Sequence, residues 1–282
     1  MTAVPSRAFA QVDVFTGKPW KGNPVAVVLD GSGVDEGPMQ AFTDWTNLSE
    51  ATFLLPPSDR NADYRLRIFC PGRELPFAGH PTLGSCHAWL EAGGRPRGER
   101  IVQECGAGLV EIRRDGARLA FAAPPLVRSG PLSEEDVLHV VRAFGLERGE
   151  ILRHAWVANG PQWCALWLES PERLLSLRPE PEALAGWDVG FVAPLPAGGE
   201  CAFEVRAFFS GNRGLTEDPV TGSLNAGLAV WLIGEGLAPA TYVVSQGTAL
   251  ARAGRVHVER DATGTIWVGG ECVTCIEGSA LF

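Results

Sequence analysis

Two stretches of the chain are apolar on almost every side of a helix, with their polar positions gathered at the start. The later one is residues 217–234, E-D-P-V-T-G-S-L-N-A-G-L-A-V-W-L-I-G. Past Pro219, residues Val220, Leu224, Ala226 and the run 228–233 leave no polar stripe, which predicts a helix buried all round. Asp218 suits its N-cap, and Pro219 suits its first position, where a missing N–H costs nothing. Thr221, Gly222 and Ser223 then offer backbone N–H groups and two hydroxyls, an anion-binding helix start. The earlier stretch follows Gly79-His80-Pro81-Thr82-Leu83-Gly84-Ser85 and continues through Trp89 and Leu90. Similar strands lead into each, Arg67-Ile68-Phe69 and Arg206-Ala207-Phe208. The offset is 139 at the arginines, 138 at Ser85 and Ser223, and 137 where Asn23-Pro24 is echoed by Gly160-Pro161. That near-constant spacing predicts an internal duplication, with His80 and Asp218 at matching positions of the two halves.

Around these helices the pattern is that of strands. Residues 9–15 alternate like a half-buried strand, 16–23 hold two glycines and a proline, and 24–30 are Val-rich, which together predict a hairpin. A short helix runs from Pro38 to about Trp45, and a strand grows out of N-L-S-E-A-T-F-L-L-P-P at 47–57. Further strands are predicted at 64–69, 101–104, 108–113, 118–122, 151–157, 163–169, 203–209, 242–246, 254–259, 265–268 and 272–281. An amphipathic helix capped by Ser133 covers 133–144, and short helices cover 171–177 and 180–184. Pro124-Pro125 marks the boundary. The expected domains are 1–124, joined by the last strand near 275–282, and 125–274. The class is α+β, mostly antiparallel sheet with one buried helix per half, and not a doubly wound sheet.

Composition narrows the function. A chain of 282 residues holds about two domains of ordinary size. The net charge of −9, without any Lys/Arg cluster, argues against a nucleic-acid partner. The apolar run 226–233 is far short of the ~20 residues that a membrane span needs. The first ten residues lack a basic region followed by a long apolar one, so no signal peptide is expected. Seven scattered cysteines fit reduced thiols in the cytoplasm better than a disulfide framework. Cys272-x-x-Cys275 has no second pair and lies in a strand, where its thiols would face opposite ways, so no metal site is expected.

Three residues stand out for chemistry. Asp218 is explained by capping alone, since Asp is among the best caps. His80 is not a favoured cap, and Gly79-His80-Pro81 is a costly turn to build for no purpose. Glu50 sits at a helix-to-strand junction, where a partly desolvated carboxylate would shuttle a proton; a solvated glutamate at a helix end is the plainer reading.

At these residues the chain resembles a known family. D-V-F-T…G-N-P-V-A-V-V (13–28), N-L-S-E-A-T-F (47–53), E-L-P-F-A-G-H-P-T-L-G (74–84) and E-D-P-V-T-G-S (217–223) occur in the order found in the PhzF-like, phenazine-biosynthesis isomerases. The resemblance spans nearly the whole chain. It implies the diaminopimelate-epimerase-like fold, two pseudo-symmetric domains, each a sheet rolled around a central helix, with the site between them. The family's acid/base glutamate falls on Glu50, its supporting histidine on His80 and its aspartate on Asp218. Its substrate-anion contacts fall on Gly79, Gly222 and Ser223. Ala51 stands where a threonine is usual, and Gly254-Arg255-Val256 departs from the family's Gly-Arg-Pro-Ser. Related epimerases use two cysteines, but no cysteine occupies either helix start, which argues against a two-thiol mechanism. The expectation is a cofactor-independent isomerase of a small carboxylate, cytoplasmic and homodimeric. A non-catalytic ligand-binding or scaffold protein of the same fold is the alternative.

Overall fold

The computed structural model describes residues 5–179, 181–211 and 214–282. Expectations about the leading residues 1–4, and about Glu180 as the start of a short helix, lie outside these. The chain divides into two compact units, Met1–Ala122 with Gly269–Phe282, and Ala123–Val268.

The first unit contains β1 (Ser6–Val14), β2 (Asn23–Val28), α1 (Glu36–Thr46), β3 (Ala51–Leu55), β4 (Tyr64–Cys70), β5 (Arg73–Leu75), α2 (Gly79–Glu91), β6 (Ile101–Cys105), β7 (Gly108–Asp115) and β8 (Arg118–Ala122). The second contains β9 (Arg128–Gly130), α3 (Glu134–Ala143), β10 (Ile151–Ala158), β11 (Trp163–Leu168), α4 (Pro171–Ser176), β12 (Asp188–Pro194), β13 (Phe203–Gly211), β14 (Gly214–Asp218), α5 (Gly222–Gly234), β15 (Thr241–Gln246) and β16 (Gly254–Arg260). The last strand, β17 (Ile266–Leu281), begins in the second unit and ends in the first.

In the first unit the sheet closes on itself. β1 is antiparallel to β2 and to β17, β2 is parallel to β3, and β3 is antiparallel to β4. β4 is parallel to β6, the strands β6, β7 and β8 run antiparallel, and β8 returns to β17. α2 packs on β1, β2, β3, β4 and β8, and is buried from Gly79 through Cys86. Gly84 permits this approach, because a Cβ there would lie 2.4 Å from Val25 Cγ1. Outside the sheet, α1 covers a second apolar layer of Met39, Phe42, Phe53 and Phe69.

The second unit arranges β9, β10, β11, β12, β13, β15 and β16 as a run of neighbours, with β11–β12 and β13–β15 parallel and the other pairs antiparallel. α5 packs on β10, β11 and β16 and is buried along nearly its whole length. Gly227 is its close-approach point, with Val157 O only 2.2 Å from where a Cβ would be. α3 and α4 cover the outer face around Phe144, Phe191 and Phe208. Strands apolar on both faces read as short continuous runs, and β12 is one the sequence pattern does not announce.

One expected boundary is corrected. α5 begins at Gly222 with Thr221 as N-cap, not at Pro219 behind an Asp218 cap. Asp218 is instead the last residue of β14, paired with Ala207. The strand pairing holds the chain extended there, so the helix starts three residues later than expected.

Candidate functional site

Glu50 follows directly on the turn that ends α1. Asn47 takes the left-handed conformation (φ 59°), and the chain then enters β3 immediately after Glu50. The Glu50 carbonyl accepts from Ala26 N at 3.4 Å, which ties it to β2. His80 is the second residue of α2, and its ring hydrogen-bonds the backbone of Pro24 at the start of the same β2. The two side chains meet there, His80 Nε2 lying 3.4 Å from Glu50 Oε2.

Burial drives the His80 pKa down to about 3, so its imidazole is neutral. Nε2 makes no hydrogen bond, so the bond to the Pro24 carbonyl runs through Nδ1–H. That places the only ring proton on Nδ1 and leaves a lone pair on Nε2 facing the carboxyl of Glu50. Two acceptors at this distance are suited to share one proton, which is the property an acid–base pair needs. Asp13, unremarked in the sequence apart from its motif, shapes the surrounding turn: its Oδ2 accepts from Lys21 N and Gly22 N at 2.8 and 3.0 Å.

In the second unit, Asp218, Gly222 and Ser223 lie within one short stretch. Thr221 Oγ1 donates to Asp218 Oδ2 at 2.6 Å. Gln246, wholly buried at the end of β15, bonds to the same turn on both sides of its carboxamide. The Ser223 hydroxyl accepts from Trp163 Nε1 at 3.0 Å, and its carbonyl accepts from Asn159 Nδ2 at 2.8 Å. With its oxygen accepting from the indole, the Ser223 hydroxyl is fixed in place beside the start of α5. First-turn N–H groups of a helix have no acceptor within the helix, so Gly79 and His80 in α2 and Gly222, Ser223 and Leu224 in α5 present donors. Pro81 contributes none. Trp163 and Gln246 carry no motif of their own; their proximity to α5 comes from strand pairing distant in sequence.

The structure also corrects the register between the halves. Residues 74–84, E-L-P-F-A-G-H-P-T-L-G, and 217–227, E-D-P-V-T-G-S-L-N-A-G, align without a gap at an offset of 143. Each glutamate clamps the arginine of the preceding strand through both oxygens. Arg67 reaches Glu74 at 2.7 and 2.6 Å, and Arg206 reaches Glu217 at 2.8 and 2.7 Å. In this register His80 matches Ser223, while Asp218 matches Leu75, so His80 and Asp218 are not counterparts. The sequence spacing misleads because the β13–β14 hairpin extends to the pair Gly211 and Gly214, three pairs beyond the Phe208–Glu217 match. The β4–β5 hairpin stops at Cys70 and Arg73, one pair beyond Phe69–Glu74.

Cys86 lies inside α2, and burial pushes its thiol up to about 12. Burial also raises the Cys272 thiol. No helix among the described residues is long and apolar enough to cross a membrane.

In the first unit a sheet closes round a buried helix, and the side chains of Glu50 and His80 meet beside the start of that helix. The chain belongs to the phenazine biosynthesis-like protein family, whose model matches residues 12–278. It is 35% identical to antisense-enhancing sequence 1 of Schizosaccharomyces pombe, over 97% of this chain and 98% of that one. It is 30% identical to trans-2,3-dihydro-3-hydroxyanthranilate isomerase of Pseudomonas aeruginosa, over 96% and 98% of the two chains. The fold matches a PhzF-family protein of Bacillus anthracis with a TM-score of 0.83, at 23% identity, over 99% of this chain and 100% of that one.

Proposed function

We propose that the protein is a cofactor-independent isomerase that moves a proton on and off carbon in a small carboxylate substrate, with Glu50 as the base. The observation that carries this reading is the carboxyl of Glu50 lying 3.4 Å from a buried, neutral His80. Glu50 takes a proton from a carbon acidified by a neighbouring carbonyl, carboxyl or double bond. The C–H electrons pass into the substrate's π system. The new acid donates to the His80 Nε2 lone pair, which holds the proton in place until it returns to carbon. Return to a second carbon gives a double-bond shift; return to the first carbon by a partner group gives an epimerisation. Asp218 holds and polarises the substrate, and the amides of Gly79, Gly222 and Ser223 bind its carboxylate. The names of the relatives support an isomerase. The matched Glu-x-Pro-x-x-Gly-x-x-x-x-Gly segments support reading the two halves as pseudo-symmetric copies of one ancestral unit.

The test is solvent exchange. The protein is incubated in D₂O with trans-2,3-dihydro-3-hydroxyanthranilate and a panel of hydroxy and amino acids, and deuterium at carbon is read by mass spectrometry. Glu50→Gln keeps size and hydrogen bonding but removes the base, so incorporation should fall by ~10²–10⁴-fold while binding survives. Asp218→Asn should cost less. Full exchange by Glu50→Gln would show that the base is another residue.

A further inference from the structure

We propose that Gln246 is a positioning residue for Asp218, acting through the hydroxyl of Thr221. The inference rests on the assignment of Asp218 to the substrate.

Gln246 closes β15 and is completely buried, yet its carboxamide makes four hydrogen bonds. Oε1 accepts from Thr221 N at 3.1 Å and from Asn225 Nδ2 at 2.8 Å. Nε2 donates to the Asp218 carbonyl at 3.2 Å and to Thr221 Oγ1 at 3.0 Å. The last bond decides a direction. A carboxamide nitrogen only donates, so Thr221 Oγ1 receives that hydrogen and its own proton is sent on to Asp218 Oδ2, 2.6 Å away. The chain of donors therefore runs from Gln246 to Thr221 to Asp218, and it presents the carboxylate with a fixed donor on one oxygen. The α5 N-cap side chain does not bond its own helix, which leaves Thr221 Oγ1 to serve Asp218.

The first unit shows what a buried glutamine does without such a relay. Gln103 lies on β6, 143 residues before Gln246, and is equally buried. It donates to Thr82, the match of Asn225, at 3.0 Å and accepts from Tyr64 Oη at 3.2 Å. The counterparts of Thr221 and Asp218 are there Ala78 and Leu75, so the glutamine ties the helix to β4 and has no hydroxyl–carboxylate pair to serve. Hydroxyl and carboxylate occur together only where Asp218 does.

Two measurements test this. The first needs no substrate. In protein with labelled threonine, NMR should show a solvent-protected hydroxyl proton that vanishes in Thr221→Val. The same signal should be lost to exchange in Gln246→Glu and in Asp218→Asn. A Thr221 signal unaltered by Gln246→Glu overturns the proposal. Gln246→Glu keeps both acceptor bonds of the carboxamide but, once ionised, cannot donate to Thr221; if it fails to fold, Gln246→Met, which removes donor and acceptor together, tests the loss of the Thr221 signal. The second measurement is proton exchange at carbon. Gln246→Glu should lower the turnover rate by about 10–100-fold, the scale of one hydrogen bond to a charged group, with little change in KM. Its rate relative to wild type should recover as pH falls and the introduced carboxyl gains a proton to donate. Thr221→Ser should restore what Thr221→Val loses. Gln246→Glu combined with Asp218→Asn should be no slower than Asp218→Asn alone, and losses that multiply would refute action through Asp218. An inactive wild type would remove the isomerase reading, while the hydroxyl signal would still decide whether Gln246 holds Asp218.

Discussion

At the scale of single residues, His80 owes its chemistry to burial. It is 5% exposed, and the absence of water around it keeps the ring neutral down to about pH 3, against an ordinary value of 6.5. Between those two pH values the unfolded chain binds a proton that the native chain does not. Native stability is therefore complete above about pH 6.5 and falls as the pH drops toward 3, by up to ~1.4 kcal/mol per pH unit from this group. Replacing His80 with Gln removes that titration. Urea denaturation of the two proteins at pH 7, 5.5 and 4.5 should show the stability of the wild type, relative to His80→Gln, declining steadily across the series. A constant difference would mean that the native ring takes up its proton near the ordinary pH. The same burial suits the site, because a ring that stays neutral keeps its Nε2 lone pair for Glu50.

At the scale of elements, the central helices are positioned by glycines that would weaken an ordinary helix. Alanine usually improves a helix by ~1 kcal/mol over glycine, but here the added methyl meets matter already in place. At Gly227 it meets the Val157 carbonyl at 2.2 Å; at Gly84 it meets side-chain methyls of Val25 and Val14 at 2.4 and 2.9 Å. Both alanine variants should lower the urea midpoint by an amount equivalent to ~1–3 kcal/mol. Gly227→Ala should be the worse, since a strand carbonyl cannot rotate away as a side chain can. The apolar runs of these helices were legible because a helix without a polar face has to be enclosed. The β1–β2 hairpin and the Ser133 cap of α3, where Ser133 Oγ accepts from Asp136 N at 3.1 Å, were legible from alternation and cap chemistry. β5 and β14 were not, because each is short and its glutamate faces the arginine of the preceding strand; only the strand partner identifies them. Asp-Pro before an apolar run mimics a helix start, and Asp218 was misplaced for that reason. Separate strands are expected at 265–268 and 272–281, whereas β17 runs from Ile266 to Leu281 without interruption. In the site, Glu50 and His80 could be singled out by type and context. Their separation depends on both being tied to β2, and the roles of Gln246 and Trp163 depend on pairings that no local pattern records.

At the scale of the whole molecule, the first unit is discontinuous in sequence. Its ring of strands is completed by the later part of β17, which pairs with β1 from Ser6–Leu281 through Val14–Cys272. Ending the chain after Val268 removes that strand and leaves β1 and β8 without their shared neighbour. Limited proteolysis of the shortened protein should cut within residues 6–122 first, at sites protected in the full chain, while residues 123–268 resist longer. Equal resistance of both stretches would show that the ring does not need its closing strand. The arrangement also sets a schedule. On the ribosome the first unit is made early but can close only after residues 272–281 have emerged. At ~5–20 residues per second, the roughly 160 residues that follow Ala122 occupy about 10–30 s. Through that interval the free edges of β1 and β8 stand open to any passing strand, including the same edges on neighbouring nascent chains of one polysome. The unit whose strands are translated first is thus closed by a strand translated long after them.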